Sequence, residues 1–296
     1  MIGPKETYKL AKKHLAYMLF EGSKIFGTEV SPSIEITTIS EPPSYKNVIG
    51  FNRLEITSIP FLNPFVYETI LKNIVFYPLV WVKRRTEYER LYGDLEDFIV
   101  AEIGHESQHA LHDFATKSVV FKEVEEKFQT IDTDIKLTKN ISGKIELTLK
   151  DEQINSSICE SIANFPTYKI LRKLGKSRIA EVKEKYSQVW KKRINGLDYL
   201  HEKLFLYPNE IGSGERLPYS LLVRLLYRSL IEDLMRMKFD KNGIEYFRWY
   251  VKNWTPSKTV KFQEKNEIRF DGENTEENTK KWLDNFDEWL KKESHQ

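Results

Sequence analysis

The chain has 296 residues, of which 40% are hydrophobic and 30% charged, and its formal net charge is only +2. That length and apolar content suffice for one large domain or two small ones, and charge so near balance leaves no global field to draw nucleic acid. A single cysteine, Cys159, excludes an intrachain disulfide and a cysteine-built zinc site. With no apolar signal core in residues 1–8, we expect a reducing, cytoplasmic setting.

In chain order, residues 5–26 read as an amphipathic helix with Leu10, Leu15, Met18, Leu19 and Phe26 among its apolar positions. Residues 33–39 alternate apolar and polar and predict a strand. Pro42 and Pro43 mark a loop over 41–45. Residues 48–59 predict a second strand, with Leu54 and Ile56 on one face and Arg53, Glu55 and Thr57 on the other. The stretch from Phe61 to Val82 is mostly apolar and about as long as a membrane span, but it contains Asn63, Glu68, Lys72, Asn73 and Pro78. It predicts a buried helix of a soluble protein and no membrane span. A charged connector follows from Lys83 to Arg90. Its basic run, like the one at Lys191–Arg193, reads as a solvated face.

The next helix is predicted from Leu95 to about Thr116. Asp94 is placed as its N-cap and Leu95, Phe98, Ile99 and Ile103 make an apolar stripe. Beyond it, residues 135–149 predict a β-hairpin turning at 140–143. Helices are expected near 153–174, 177–204 and 216–238, with a glycine-containing loop at 208–214. Tyr246, Phe247, Trp249, Tyr250 and Trp254 are expected to enter a core. A polar linker over 271–278 then leads to a short helix with Trp282, Phe286 and Trp289 on one side.

The chemistry concentrates in His105-Glu106-Ser107-Gln108-His109, which has the pattern H-E-x-x-H on the predicted 95–116 helix. Positions i and i+4 lie one turn apart on one face. Two neutral imidazoles there can hold one metal ion, and Glu106 is placed to take a proton from water beside it. A catalytic zinc takes three protein ligands and leaves one position open. The longer metzincin pattern would need Gly at 112 and His at 115, where this chain has His112 and Ala115. A distal carboxylate is the next option. Glu160 stands among Ile158, Cys159, Ile162 and Ala163 on an otherwise apolar helix. A carboxylate on such a face needs a partner, either a metal or a Lys or Arg. His112 and Asp113 read as surface or supporting groups rather than ligands.

H-E-x-x-H followed by E-x-x-A-[DN] on a later helix (here Glu160 to Asn164) resembles the gluzincin zinc metallopeptidases, the clan that includes thermolysin. The resemblance covers roughly residues 5–175, and the two short motifs are its specific part. It implies that His105, His109 and Glu160 bind Zn2+ and that Glu106 is the general base. It also implies that Asn164 supports a ligating histidine, without the charge an aspartate would add. The strand at 48–58 would border the cleft and pair an extended peptide. A Tyr or His from the C-terminal part would stabilise the oxyanion; Tyr219, Tyr207 and His201 are the candidates, and Tyr219 is favoured.

The expected fold is α+β and predominantly helical. Residues 1–175 would form a zincin-like lobe with a small sheet and the active-site helix, and 176–296 a helical C-terminal region, with the cleft between them. The expected function is zinc-dependent hydrolysis of peptide bonds in a peptide or protein substrate, with no nucleic-acid partner. The alternatives are a different zinc hydrolase, in which Cys159 is a ligand, and a non-catalytic binding protein that keeps the motif.

Overall fold

The computed structural model describes residues 2–29, 32–39, 63–69, 71–128, 136–139, 145–148, 151–187, 219–270 and 275–294. These residues are predominantly helical, with two small three-stranded sheets. The chain forms two compact units, each assembled from separate segments. One comprises Met1–Phe121, Ile162–Glu184 and Asn242–Lys252; the other comprises Lys122–Ser161, Lys185–Lys241 and Asn253–Gln296.

In the first unit, helix α1 runs Pro4–Phe26, close to the predicted span. Pro4 sits where a missing N–H costs nothing, and the Gly3 N–H donates to Glu6 Oε2 at 3.0 Å. Gly27 ends the helix at φ 73, a left-handed conformation that suits glycine. Strands β1 (Ile36–Thr38), β2 (Phe65–Glu68) and β3 (Asn73–Phe76) form a sheet in the order β1-β3-β2. β1 runs parallel to β3, with Ile36 opposite Ile74. β2 runs antiparallel, with Phe65 opposite Phe76.

This sheet corrects the reading of residues 61–82 as one buried helix. Phe65, Val66 and Tyr67, then Ile74, Val75 and Phe76, are the β-branched and aromatic types that pack best on a pleated surface. Between the two strands Lys72 takes φ 54. Pro78 then opens helix α2 (Pro78–Tyr92), so the expected charged connector is helical as well. The predicted loop at 41–45 and strand at 48–59 lie outside the described residues.

Helix α3 (Leu95–Ala115) matches its predicted span. Asp94 Oδ1 accepts from the N–H groups of Glu96 at 2.7 Å and Asp97 at 3.0 Å, satisfying two donors that the helix start leaves unpaired. Phe98 lies against Tyr88, with ring centroids 4.3 Å apart, and against Trp81 at 6.4 Å. On α1, a Cβ at Gly22 would stand 2.3 Å from Gln108 Oε1 and 2.4 Å from Leu111 Cδ1, so a larger residue there would require the ends of those side chains to shift.

Helix α4 (Val119–Phe128) follows, then strands β4 (Lys136–Lys139) and β5 (Ile145–Thr148), which pair antiparallel as the predicted hairpin does. Helix α5 (Asp151–Lys173) is continuous, and the division between the two units falls within it. Helix α6 (Ser177–Ser187) returns to the first unit. Helix α7 (Tyr219–Asn253) is longer than expected and turns at Gly243, where φ is 84. It carries Phe247 and Tyr250, both fully buried.

In the second unit, helix α8 (Pro256–Gln263) precedes strand β6 (Arg269–Phe270), which pairs with β5. Helix α9 (Thr275–Glu293) begins inside the stretch expected to be linker, with Glu276 and Glu277 in its first turn. Its Trp282 and Phe286 are buried against Phe262 of α8, with ring centroids 5.4 and 5.2 Å from it. Among the described residues, no helix is long and apolar enough to cross a membrane.

Candidate metal centre

The helical pitch of α3 places His105 and His109 one turn apart, and both are 8% exposed. Their rings are perpendicular, and their Nε2 atoms face each other at 3.0 Å. Two imidazole nitrogens on one tetrahedral zinc would be separated by about 3.3 Å, given Zn–N bonds of about 2.0 Å. The pair is therefore spaced much as a shared ion requires. Glu160 completes the group, since one ligand atom from each of His105, His109 and Glu160 lies within 4.8 Å of the others. Two nitrogens and a carboxylate oxygen are a donor set that suits zinc.

Asn164 stands one turn after Glu160 on α5, and its Oδ1 lies 3.0 Å from His105 Nδ1. An amide oxygen can only accept, so the His105 proton resides on Nδ1 and the Nε2 lone pair is left for an ion. The sequence motif had assigned Asn164 this kind of support.

Glu106 is buried between the two histidines in sequence. Its Oε2 accepts the backbone N–H of Tyr67 at 2.7 Å. Burial pushes its carboxyl above the ordinary carboxylate range, against the pull of His105, His109 and the Tyr67 hydrogen bond. In the antiparallel pairing of β2 with β3, Tyr77 N–H bonds to Pro64 C=O, so Phe65 and Tyr67 turn their N–H groups away from β3. The strand that reaches α3 is thus β2, in a stretch expected from its apolar run to be helix.

Tyr67 is tied to α3 a second time. Its hydroxyl donates to Asp113 Oδ2 at 2.6 Å, and Lys72 Nζ donates to the same oxygen at 2.6 Å. Asp113 and His112 are both buried, so of the two readings, surface or supporting groups, the first is excluded. His112 packs against Phe121, with ring centroids 5.3 Å apart, and burial pushes its pKa down to about 3. It is therefore neutral across the physiological range. One turn before Glu106, buried Glu102 is ion-paired with Lys183 of α6.

The partner of Glu160 that the sequence left open is present in a second form. Arg228 Nη2 of α7 donates to Glu160 Oε1 at 2.9 Å. Both Tyr67 and Arg228 were missed in the sequence. Arg228 had a signal, being a cation in the apolar run from Leu225 to Ile231, which needs a partner just as Glu160 does. Cys159 is buried, and burial together with the Glu160 charge pushes its thiol up, away from the thiolate a metal would take. Tyr219 is the first residue of α7, but its side chain, like Tyr207 and His201, lies outside the described residues. Compared with models of known families, with curated proteins and with solved structures, the chain matches none.

Proposed function

We propose that the chain is a zinc-dependent metallopeptidase of gluzincin type. The observation that carries this reading is the convergence of His105, His109 and Glu160 within 4.8 Å. Asn164 supports it further by setting the His105 tautomer. His105 and His109 would hold zinc through Nε2 and Glu160 through a carboxylate oxygen. Bound there, zinc lowers the pKa of water toward neutrality and polarises a substrate carbonyl.

The chain's own residues supply the rest. Glu106 accepts a proton from the attacking water and returns it to the leaving amine. Its raised affinity for the proton suits a base that must hold it between those two events. The Tyr67 N–H fixes one Glu106 oxygen. The substrate class, a peptide or protein, is the one the gluzincin resemblance implies. Tyr219 is the proposed oxyanion donor. The single cysteine suits a cytoplasmic setting.

A second reading, a binding protein without catalysis, is favoured by one observation: the Arg228 guanidinium already meets Glu160. A zinc hydrolase with Cys159 as ligand is disfavoured by the buried, proton-retaining thiol. Metal content by mass spectrometry separates the readings. We expect one zinc per native chain, loss of it in Glu160→Ala, and retention in Glu106→Gln with peptide hydrolysis lowered about 10²–10⁴-fold. No zinc in the native chain after reconstitution would remove the peptidase reading.

A further inference from the structure

A carboxylate ligand works only if its plane is held so that one oxygen faces the ion, and outer partners of metal ligands do that orienting. Asn164 does it for His105. For Glu160 the corresponding group comes from α7, where Arg228 Nη2 donates to Oε1 at 2.9 Å. The stretch that carries Glu160 is pinned to the same helix at the next turn. Ser161, its neighbour, donates its hydroxyl to the Glu232 carbonyl at 2.8 Å, and Glu232 lies one turn beyond Arg228.

This ion pair is open, with Arg228 36% and Glu160 26% exposed. Pairs so exposed contribute little to stability, so folding alone does not account for it. A guanidinium is a rigid planar donor, suited to fixing a carboxylate's orientation in a way a lysine ammonium is not.

We infer that Arg228 is a positioning residue for the metal centre: it holds one oxygen of Glu160 and presents the other toward His105 and His109. The inference rests on the zinc reading of the site. It has a definite sign. A cation beside the site weakens the attraction for Zn2+, so if Arg228 merely competed for the carboxylate, removing it would tighten zinc binding. If Arg228 orients Glu160, removing it loosens binding.

The test is the zinc dissociation constant of the full chain by chelator competition, for the native protein, Arg228→Gln, Arg228→Lys, Glu160→Ala and the Glu160→Ala/Arg228→Gln double variant. Far-UV circular dichroism of each EDTA-treated protein checks the fold, and Arg228→Lys carries the test if Arg228→Gln does not fold. We expect Arg228→Gln to bind zinc about 10–100-fold more weakly, with Arg228→Lys between it and the native chain. In the Glu160→Ala background, where zinc is lost, replacing Arg228 should not restore it. The visible spectrum of the cobalt-loaded Arg228→Gln protein should differ from native, reporting altered coordination. Unchanged or tighter zinc binding in Arg228→Gln, with binding lost in Glu160→Ala, overturns the role of Arg228 and leaves the zinc site standing. No zinc in the native chain overturns both.

Discussion

Helices α3 and α5 each bring a pair of residues one turn apart to the candidate centre, but they are held differently. On α3, His105 and His109 are buried in a helix whose neighbours leave it little freedom. Gly22 of α1 meets it where a side chain would displace the ends of Gln108 and Leu111, and Tyr67 grips both Glu106 and Asp113. On α5, Asn164 reaches His105 through a hydrogen bond, while Glu160 is partly exposed and paired with an arginine that is itself partly open to water. Both helices are largely buried, but the histidine pair is covered by its neighbours, whereas Glu160 is held by a few polar contacts. Damage at the α1–α3 contact should therefore appear as lost stability, and truncation of the polar contacts made by Glu160 and Asn164 as altered metal binding with the fold intact.

The largest effect is expected from Gly22→Val. The added atoms would overlap Gln108 and Leu111 on α3, at a cost of about 3 kcal/mol, measurable by urea unfolding. A near-neutral result would mean that the α1–α3 contact yields easily and that the contrast between the two helices is weaker than their packing implies.

His112 provides a second, pH-dependent probe of α3. Its folded pKa, about 3, lies below the unfolded value of 6.5. The unfolded chain therefore binds the extra proton first as pH falls. The contribution of the neutral buried ring is fully present above about pH 6.5 and is lost progressively toward pH 3. Between pH 7 and 5 this amounts to about 2 kcal/mol. His112→Phe should flatten that slope in EDTA-treated protein, read as the thermal midpoint against pH. An unchanged slope would show that other groups set the acid response.

The smallest effect sharpens the α5 side. Asn164→Ala should weaken zinc binding about tenfold, the low end for an outer partner of a histidine ligand, and leave the thermal midpoint of the EDTA-treated protein close to native. Asn164→Asp should restore the affinity, since the acceptor returns with a charge. A large loss of stability in Asn164→Ala would show that its contact with His105 holds the fold as well as the site.

The chain's local patterns were readable to different degrees. Asp94 with Glu96 and Asp97 marked the start of α3, and the alternating residues around 140–143 marked the β4–β5 hairpin. In both, the decisive interactions span only a few residues. Residues 61–82 misled because a continuous apolar run suits a buried helix and a buried strand equally. What separated them was pairing with β1, whose register lies far away in sequence. Arg228 and Tyr67 were illegible for a related reason. A cation in an apolar helix announces that it needs a partner without naming one, and the Tyr67 contact to Glu106 is made by a backbone N–H that every residue but proline carries.

The sequence by itself determined the spacing of His105 with His109 and of Glu160 with Asn164, because the pitch of an α-helix sets which residues share a face. It also determined that Glu160 could not stand alone, because an apolar surface leaves a charge without solvation. Only the tertiary structure decided that Asn164 meets His105, that β2 delivers a donor to Glu106, and that Arg228 shares Glu160 with the histidine pair. Those are choices among many possible partners for a buried polar group, and long-range packing makes them.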